Sequence, residues 1–228
     1  MSEKIFVKGN EAVAMAAIEA GCRCYFGYPI TPQSDIPEYL SRELPKTGGT
    51  FMQVESEIGA INMVLGASAA GVRAMTSSSG PGISLKQEGI SYMAGSELPG
   101  VIVDIMRQGP GLGGIDASQA DYWQATRGGG HGGYRIIVLA PNSVQEMYDL
   151  TMMAFDLSDI YRISAMVLAD SVIGQMKESL IANPRPVTAL PEKNWAVRGR
   201  REGEAQNVVK SLKLGDGEME AFHWAMQA

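Results

Sequence analysis

Apolar and polar positions along this chain change period repeatedly, and the changes mark alternating helices and strands. Asn10 is placed to cap a helix over Glu11–Ala20 that Gly21 stops. Arg23–Gly27 then reads as a strand, Ser34–Leu44 as a helix and Thr50–Val54 as a second strand. The stretch Glu57–Ala70 is rich in Ala and Leu at a period of about 3.6 and ends at Gly71, which predicts a helix. A strand follows at Val72–Thr76, then a helix over Gly82–Met93 after a Pro-Gly start. Val101–Ile105 is a near-continuous apolar run, the mark of a parallel strand covered on both faces.

Farther along, a helix is expected near Ser118–Thr126 and a strand at Tyr134–Leu139. Ser143 and Glu146 form a capping box that opens a helix to about Leu157, and Ala165–Leu168 reads as the last strand. Roughly six strands interleaved with helices predict an α/β fold, a doubly wound, mostly parallel sheet with helices on both faces. The pattern breaks at Asn183-Pro184-Arg185-Pro186. Residues 1–180 are therefore expected to form one domain, and 181–228 a linker followed by a C-terminal arm too short to be a second domain.

Composition narrows the function. The 228 residues are 45% hydrophobic and 19% charged, ordinary for a globular protein. A net charge of −6 without a basic run argues against nucleic acid or an anionic membrane as partner. Arg198, Arg200 and Arg201 are followed at once by Glu202 and Glu204 and read as solvated linker. The start lacks a signal-peptide pattern and no apolar run reaches spanning length, so a cytoplasmic location is expected. Cys22 and Cys24 are the only cysteines, too few for an iron–sulfur cluster or a structural zinc site, and no metal site is expected.

Several motifs weaken on inspection. Gly109, Gly111 and Gly114 match G-x-G-x-x-G, but so do Gly128, Gly130 and Gly133, and Pro110 interrupts the first run. A dinucleotide fingerprint opens a helix at the first strand of its unit, which neither run does. Ser77–Ser79 lacks a nucleophile-elbow frame. Gly215-Asp216-Gly217 has no asparagine at the spacing of a metal–diphosphate motif and reads as a turn.

Three other segments fall at strand ends and can meet on one rim: the turn Tyr28-Pro29-Ile30-Thr31-Pro32, the junction Glu55-Ser56-Glu57, and the loop Thr76–Gly82. A strand-to-helix junction supplies free N–H groups, and α/β sheets place their ligands there. Glu57 as a plain first-turn acid would be worth under about 1 kcal/mol.

Four ordered blocks add to this. Tyr28–Pro32, Glu55–Ala60, Thr76–Ser84 with Gly80-Pro81-Gly82, and Met106-Arg107-Gln108-Gly109-Pro110 together resemble the α subunit of 2-oxoacid:ferredoxin oxidoreductases. Ser84–Tyr92 and the loop Gly128–Gly133 look most like the branched-chain (2-oxoisovalerate) type, with the 2-oxoglutarate type second. The resemblance implies a thiamine diphosphate pyrimidine-binding domain, with the diphosphate half of the site, Mg2+ and the iron–sulfur clusters on partner subunits (β, γ and a ferredoxin-like δ). It also implies oxidative decarboxylation of a 2-oxoacid, with coenzyme A as co-substrate and ferredoxin as electron acceptor. The family's catalytic glutamate maps onto Glu57, which would hydrogen-bond the aminopyrimidine ring nitrogen and favour its imino tautomer. Ser78 and Gly80 map onto cofactor contacts. Thr31 maps onto a substrate-contacting threonine, and Arg107 onto the arginine that pairs with the substrate carboxylate. The family usually continues into a second α/β domain, which is expected to be absent here, by truncation or as a short form. A non-catalytic scaffold of the same fold is the competing expectation.

Overall fold

A computed structural model describes residues 4–182, 189–200 and 202–227. The Met1-Ser2-Glu3 start, the break at Asn183–Pro186 and Arg201 of the basic cluster lie outside the described residues. The described chain runs β1 (Lys4–Lys8), α1 (Gly9–Glu19), β2 (Cys24–Gly27), α2 (Asp35–Glu43), a 3-10 turn (Leu44–Thr47) and β3 (Thr50–Gln53). It continues α3 (Glu57–Ala69), β4 (Ala74–Ser78), α4 (Pro81–Gly95), β5 (Gly100–Met106), α5 (Tyr122–Arg127) and β6 (Ile137–Leu139). The last elements are α6 (Val144–Tyr161), β7 (Ser164–Asp170), α7 (Ser171–Gln175), β8 (Lys177–Ile181) and α8 (Glu218–Gln227).

Six strands form one parallel sheet in the order β3-β2-β4-β5-β7-β6. Alternation along its strands splits the core in two, as a sheet covered on both faces requires. Tyr25, Met75, Val101, Val103, Ile105, Ala165 and Val167 pack on one face with residues of α1, α2 and α6. Phe26, Ala74, Ile102, Met106, Met166 and Leu168 pack on the other with α3 and α4. The chain steps from β2 to β3 in one direction and returns past β2 to β4 in the other. The carboxyl ends of β2 and β4 therefore flank a topological switch point, where open α/β sheets leave a ligand crevice.

Most expected elements lie within two or three residues of those observed; α6 runs four residues past its expected end. Asn10 does not cap α1. The helix starts at Gly9, the Glu11 carboxylate accepts the Lys8 backbone N–H at 2.9 Å, and Asn10 is fully buried within the first turn. The expected helix at Ser118–Thr126 is shorter, because Ser118–Asp121 stay irregular and α5 begins at Tyr122. The antiparallel pair β1–β8 and the short α7 carry no sequence signal of their own. Residues 189–200 pack across the far ends of α3 and α6: Val197 N–H bonds Ala69 O at 2.8 Å, and Lys193 Nζ lies 2.7 Å from Asp159. Asp159 is also paired with Arg73, whose guanidinium bridges to Asp156.

Candidate functional site

The rim at the carboxyl ends of β2, β3, β4 and β5 holds all five residues singled out in the sequence. Thr31 follows β2, Glu57 opens α3 after β3, Ser78 ends β4 with Gly80 two residues on, and Arg107 follows β5.

Ser56 starts α3 from an extended conformation and accepts the Gly59 N–H at 3.1 Å, which fixes the helix entry. Glu57 thereby becomes the first helical residue, 7% exposed, facing α4. No described residue donates a hydrogen bond to its carboxylate. Across from it, Gly82 occupies a gap that only glycine fills. A Cβ there would lie 2.1 Å from Ser78 Oγ and 2.8 Å from Glu57 Oε1, so both side chains converge on the bare Gly82 backbone. Ser78 Oγ and Ser79 Oγ are buried without partners. A buried carboxylate lacking donors and the unpaired Ser78 hydroxyl thus meet at the bare Gly82 backbone, and buried polar groups left unpaired in this way are ones a bound ligand can satisfy.

One helical turn beyond Gly82, Lys86 is fully buried and its ammonium has no partner. Burial lowers its pKa from 10.5 to about 8, against an opposing pull from the Glu57 charge. The Lys86 side chain therefore turns inward.

Arg107 is also buried, with its fork anchored on backbone. Nη1 donates to Thr31 O at 3.0 Å and Nη2 to Leu112 O at 2.9 Å, while Nε has no partner. Gly80 fits beside it with φ of +40°, a conformation that side chains other than glycine rarely adopt; a Cβ there would lie 3.6 Å from Arg107 Cγ. Arg107, Gly80, Pro81, Ser84 and Asp121 help line a cavity of about 300 Å³. A second cavity, of about 510 Å³, opens beside Thr31 and Pro32 against Ile115 and Gln175.

The Thr31–Pro32 turn is braced by side chains that sequence reasoning missed. Pro32 O accepts from Asn10 Nδ2 at 2.9 Å and from Gln175 Nε2 at 2.7 Å, and both amides also bond Asp35. Lys8 closes the cluster on Asp35 at 2.8 Å. Gln33 is buried beside the turn, where its Oε1 accepts from Ser77, and Ser77 shares a further bond with Tyr25 OH at 2.6 Å. These contacts join residues up to 143 positions apart, so no local pattern could announce them.

The two glycine runs do other work. Neither opens a helix, and the run at 128–133 lies on α4: Tyr134 OH donates to Gln87 and Ser91 Oγ to His131 O. Gly215-Asp216-Gly217 is the turn before α8. Cys22 and Cys24 are free thiols, and burial pushes Cys22 up to about 12. Among the described residues no cluster of three or more His, Cys, Asp or Glu could hold a metal, and no helix is long and apolar enough to cross a membrane.

Comparison with known proteins places these features in a family. Residues 15–213 match the family model described as pyruvate flavodoxin/ferredoxin oxidoreductase, thiamine diphosphate-binding. The chain is 60% identical over 221 residues to a ketoisovalerate oxidoreductase subunit VorB of Methanothermobacter marburgensis, covering 97% of this chain and 62% of that one. It is 53% identical over 177 residues to a 2-oxoglutarate synthase subunit KorA of Methanocaldococcus jannaschii, covering 77% of this chain and 48% of the relative. Among solved structures it is similar to a 2-oxoglutarate:ferredoxin oxidoreductase from Magnetococcus marinus with 2-oxoglutarate, coenzyme A and succinyl-CoA bound. The TM-score is 0.88 at 29% identity, over 99% of this chain and 45% of that one. The chain thus spans less than two thirds of the length of these relatives. With a matched region covering most of its residues and a parallel sheet carrying a donor-free glutamate at its switch-point rim, the chain belongs to the pyruvate flavodoxin/ferredoxin oxidoreductase family and carries that family's thiamine-diphosphate-binding domain.

Proposed function

We propose that this chain supplies the pyrimidine-binding half of a thiamine diphosphate site in a multi-subunit 2-oxoacid:ferredoxin oxidoreductase acting on 2-oxoisovalerate and related branched-chain acids. Residues 1–180 form the cofactor-binding domain and 181–228 a linker and arm. The diphosphate half, Mg2+ and the iron–sulfur clusters belong to β, γ and ferredoxin-like δ partner subunits, coenzyme A takes the acyl group, and ferredoxin takes the electrons. The assembly works in the cytoplasm, with no nucleic-acid or membrane partner.

The observation that carries this reading is the Glu57 carboxylate, buried at the strand-to-helix junction with no donor among the described residues. A carboxylate in that setting is suited to a ring nitrogen that alternately offers and takes a proton. Thiamine diphosphate, when bound, is the electron sink for loss of carbon dioxide from the oxoacid. The chain's own residues orient and exchange protons around it. Glu57 holds a proton at the aminopyrimidine ring nitrogen. Ser78 Oγ and the Gly80 backbone would contact the cofactor when it is bound. Arg107 orients the planar oxoacid carboxylate with the N–H groups not taken by Thr31 O and Leu112 O. Thr31, braced by the Asn10–Asp35–Gln175 cluster, sets the distance to the substrate carbonyl.

Substrate choice follows from charge. Arg107 is the one cation among the residues lining the two rim cavities, and Lys86, fully buried, lines neither. A monocarboxylic oxoacid is matched by one cation, whereas 2-oxoglutarate needs a second at its distal end. The relatives' names point the same way, since the ketoisovalerate subunit has the higher identity of the two types. An apolar distal pocket discriminates by only about 1–3 kcal/mol per methylene, so neighbouring branched acids should also react.

The test is reconstitution. With its partner subunits, coenzyme A and an electron acceptor, the complex should reduce the acceptor with 2-oxoisovalerate well above 2-oxoglutarate, and the isolated chain should not turn over. Preference for 2-oxoglutarate, lost on Lys86→Ala, would replace the branched-chain assignment, and full turnover by the isolated chain would refute the division between subunits.

A further inference from the structure

Strand β5 is fully buried and apolar but for one acid, the equally buried Asp104, which lies beside Ser78 of β4 and Leu168 of β7. Neither Asp104 oxygen has a hydrogen-bond partner of good geometry among the described residues; the Gly80 N–H lies near enough to favour its ionised form but is directed at Asp121. Its polar neighbour is another acid, Asp121, from the end of the loop that follows Arg107. Asp121 Oδ2 accepts the Gly80 N–H at 3.2 Å and feels the Arg107 charge. It also lines the cavity that Arg107 and Gly80 share.

Two carboxylates in contact have acceptors only, and a buried pair cannot ionise together without severe repulsion. A proton on one of them turns the contact into an O–H···O⁻ hydrogen bond, the strong charge-assisted kind. The surroundings choose which oxygen carries it. Burial raises the Asp121 carboxyl too, but the Gly80 N–H, the hydrogen bond from Asp104 and the Arg107 charge all oppose that rise and favour its ionised form. Asp104 has complete burial, the facing Asp121 charge and the hydrogen bond to Asp121, and these push its carboxyl well above the usual range, opposed only by the Gly80 N–H. Among the described residues, Arg107 is the charged group that faces the pair.

We propose that Asp104 is a positioning residue for the substrate end of the site: as a carboxylic acid it donates to Asp121, and so holds in place the carboxylate that anchors the Gly80 turn and stands beside Arg107. Without that donor, the freed Asp121 oxygen turns to the nearest cation, the Arg107 guanidinium, and competes there with the incoming oxoacid carboxylate. The Gly80 turn, which links the Arg107 side of the rim to the Ser78–Gly82–Glu57 cradle, loosens at the same time. The consequence for substrate binding rests on the proposed role of Arg107; the shared proton does not.

Two measurements separate these levels. Infrared spectra of the chain with carbon-13-labelled aspartate should contain the C=O band of a protonated, buried carboxylic acid at neutral pH, absent in Asp104→Asn. In the reconstituted complex, Asp104→Ala should raise KM for the oxoacid on the order of tenfold, the cost of one lost buried hydrogen bond, with a smaller change in kcat. Asp104→Asn should rescue that KM, because its amide N–H replaces the acid proton. The rise of KM at high pH, as Asp104 ionises, should then be absent in Asp104→Asn. A spectrum without the protonated-acid band, or an asparagine variant as impaired as the alanine one, overturns the proposal. A complex inactive on every oxoacid would count against the proposed function, and the infrared band would still decide the proton.

Discussion

Replacing Lys86 by methionine should stabilise the chain at neutral pH. The lysine side chain is fully buried, its ammonium has no hydrogen-bond partner, and burial lowers its pKa from 10.5 to about 8. At roughly 1.36 kcal/mol per pKa unit, keeping that charge inside costs about 3 kcal/mol while the group is protonated in both states. The sign follows from the proton count. Below about pH 8 folded and unfolded chains both hold the proton, and the folded state bears the whole cost. Between about 8 and 10.5 the unfolded chain keeps the proton and the folded chain releases it, so stability rises with pH across that window. Methionine has similar length and needs no proton, so Lys86→Met should be more stable by up to about 3 kcal/mol at pH 7 and lose that advantage by pH 10.5. Urea unfolding of both proteins at several pH values measures the difference, and cancels the other groups that titrate in the same range. An advantage that does not shrink with rising pH, or a methionine variant less stable at pH 7, would refute this account of Lys86.

Two further changes test the cradle and its brace. Gly82→Ala places a methyl 2.1 Å from Ser78 Oγ and 2.8 Å from Glu57 Oε1; it should destabilise by about 1–3 kcal/mol in denaturant melts and reduce cofactor-dependent activity of the complex. Asn10→Ala and Gln175→Ala each remove one of two donors to Pro32 O; each should cost about 1 kcal/mol and raise KM for the oxoacid more than it lowers kcat, measured by steady-state kinetics.

The sheet was legible because its physics is local. The apolar run at Val101–Ile105, the Ala-rich period of Glu57–Ala70 and the capping box at Ser143 each specify an element over a few residues, and right-handed crossovers then leave few ways to order the strands. The rim was legible for the same reason, since Thr31, Glu57, Ser78 and Arg107 each lie at or just beyond the end of a strand that could be read alone. Asn10 shows the limit. A residue type that favours capping in isolation is used instead as a donor to Pro32 O, because a distant turn needs it more than the helix end does. Gln175 and Asp121 gave no signal, as their partners come from other elements. Asp104 did leave a trace, a lone acid inside an apolar strand, but an acid in a buried run declares a polar role without naming its partner.

Glu57 carries the central claim, and hydrogen–deuterium exchange at the thiazolium carbon of bound thiamine diphosphate tests it most directly. The exchange can be followed by NMR after rapid quenching of the reconstituted complex, without substrate. Glu57→Gln keeps the shape of the side chain and removes its capacity to hold and pass a proton. The account predicts a fall in exchange rate on the order of 10²–10⁴-fold, with cofactor still bound, the range a positioned acid–base group contributes. An exchange rate equal to that of the unaltered complex would contradict it.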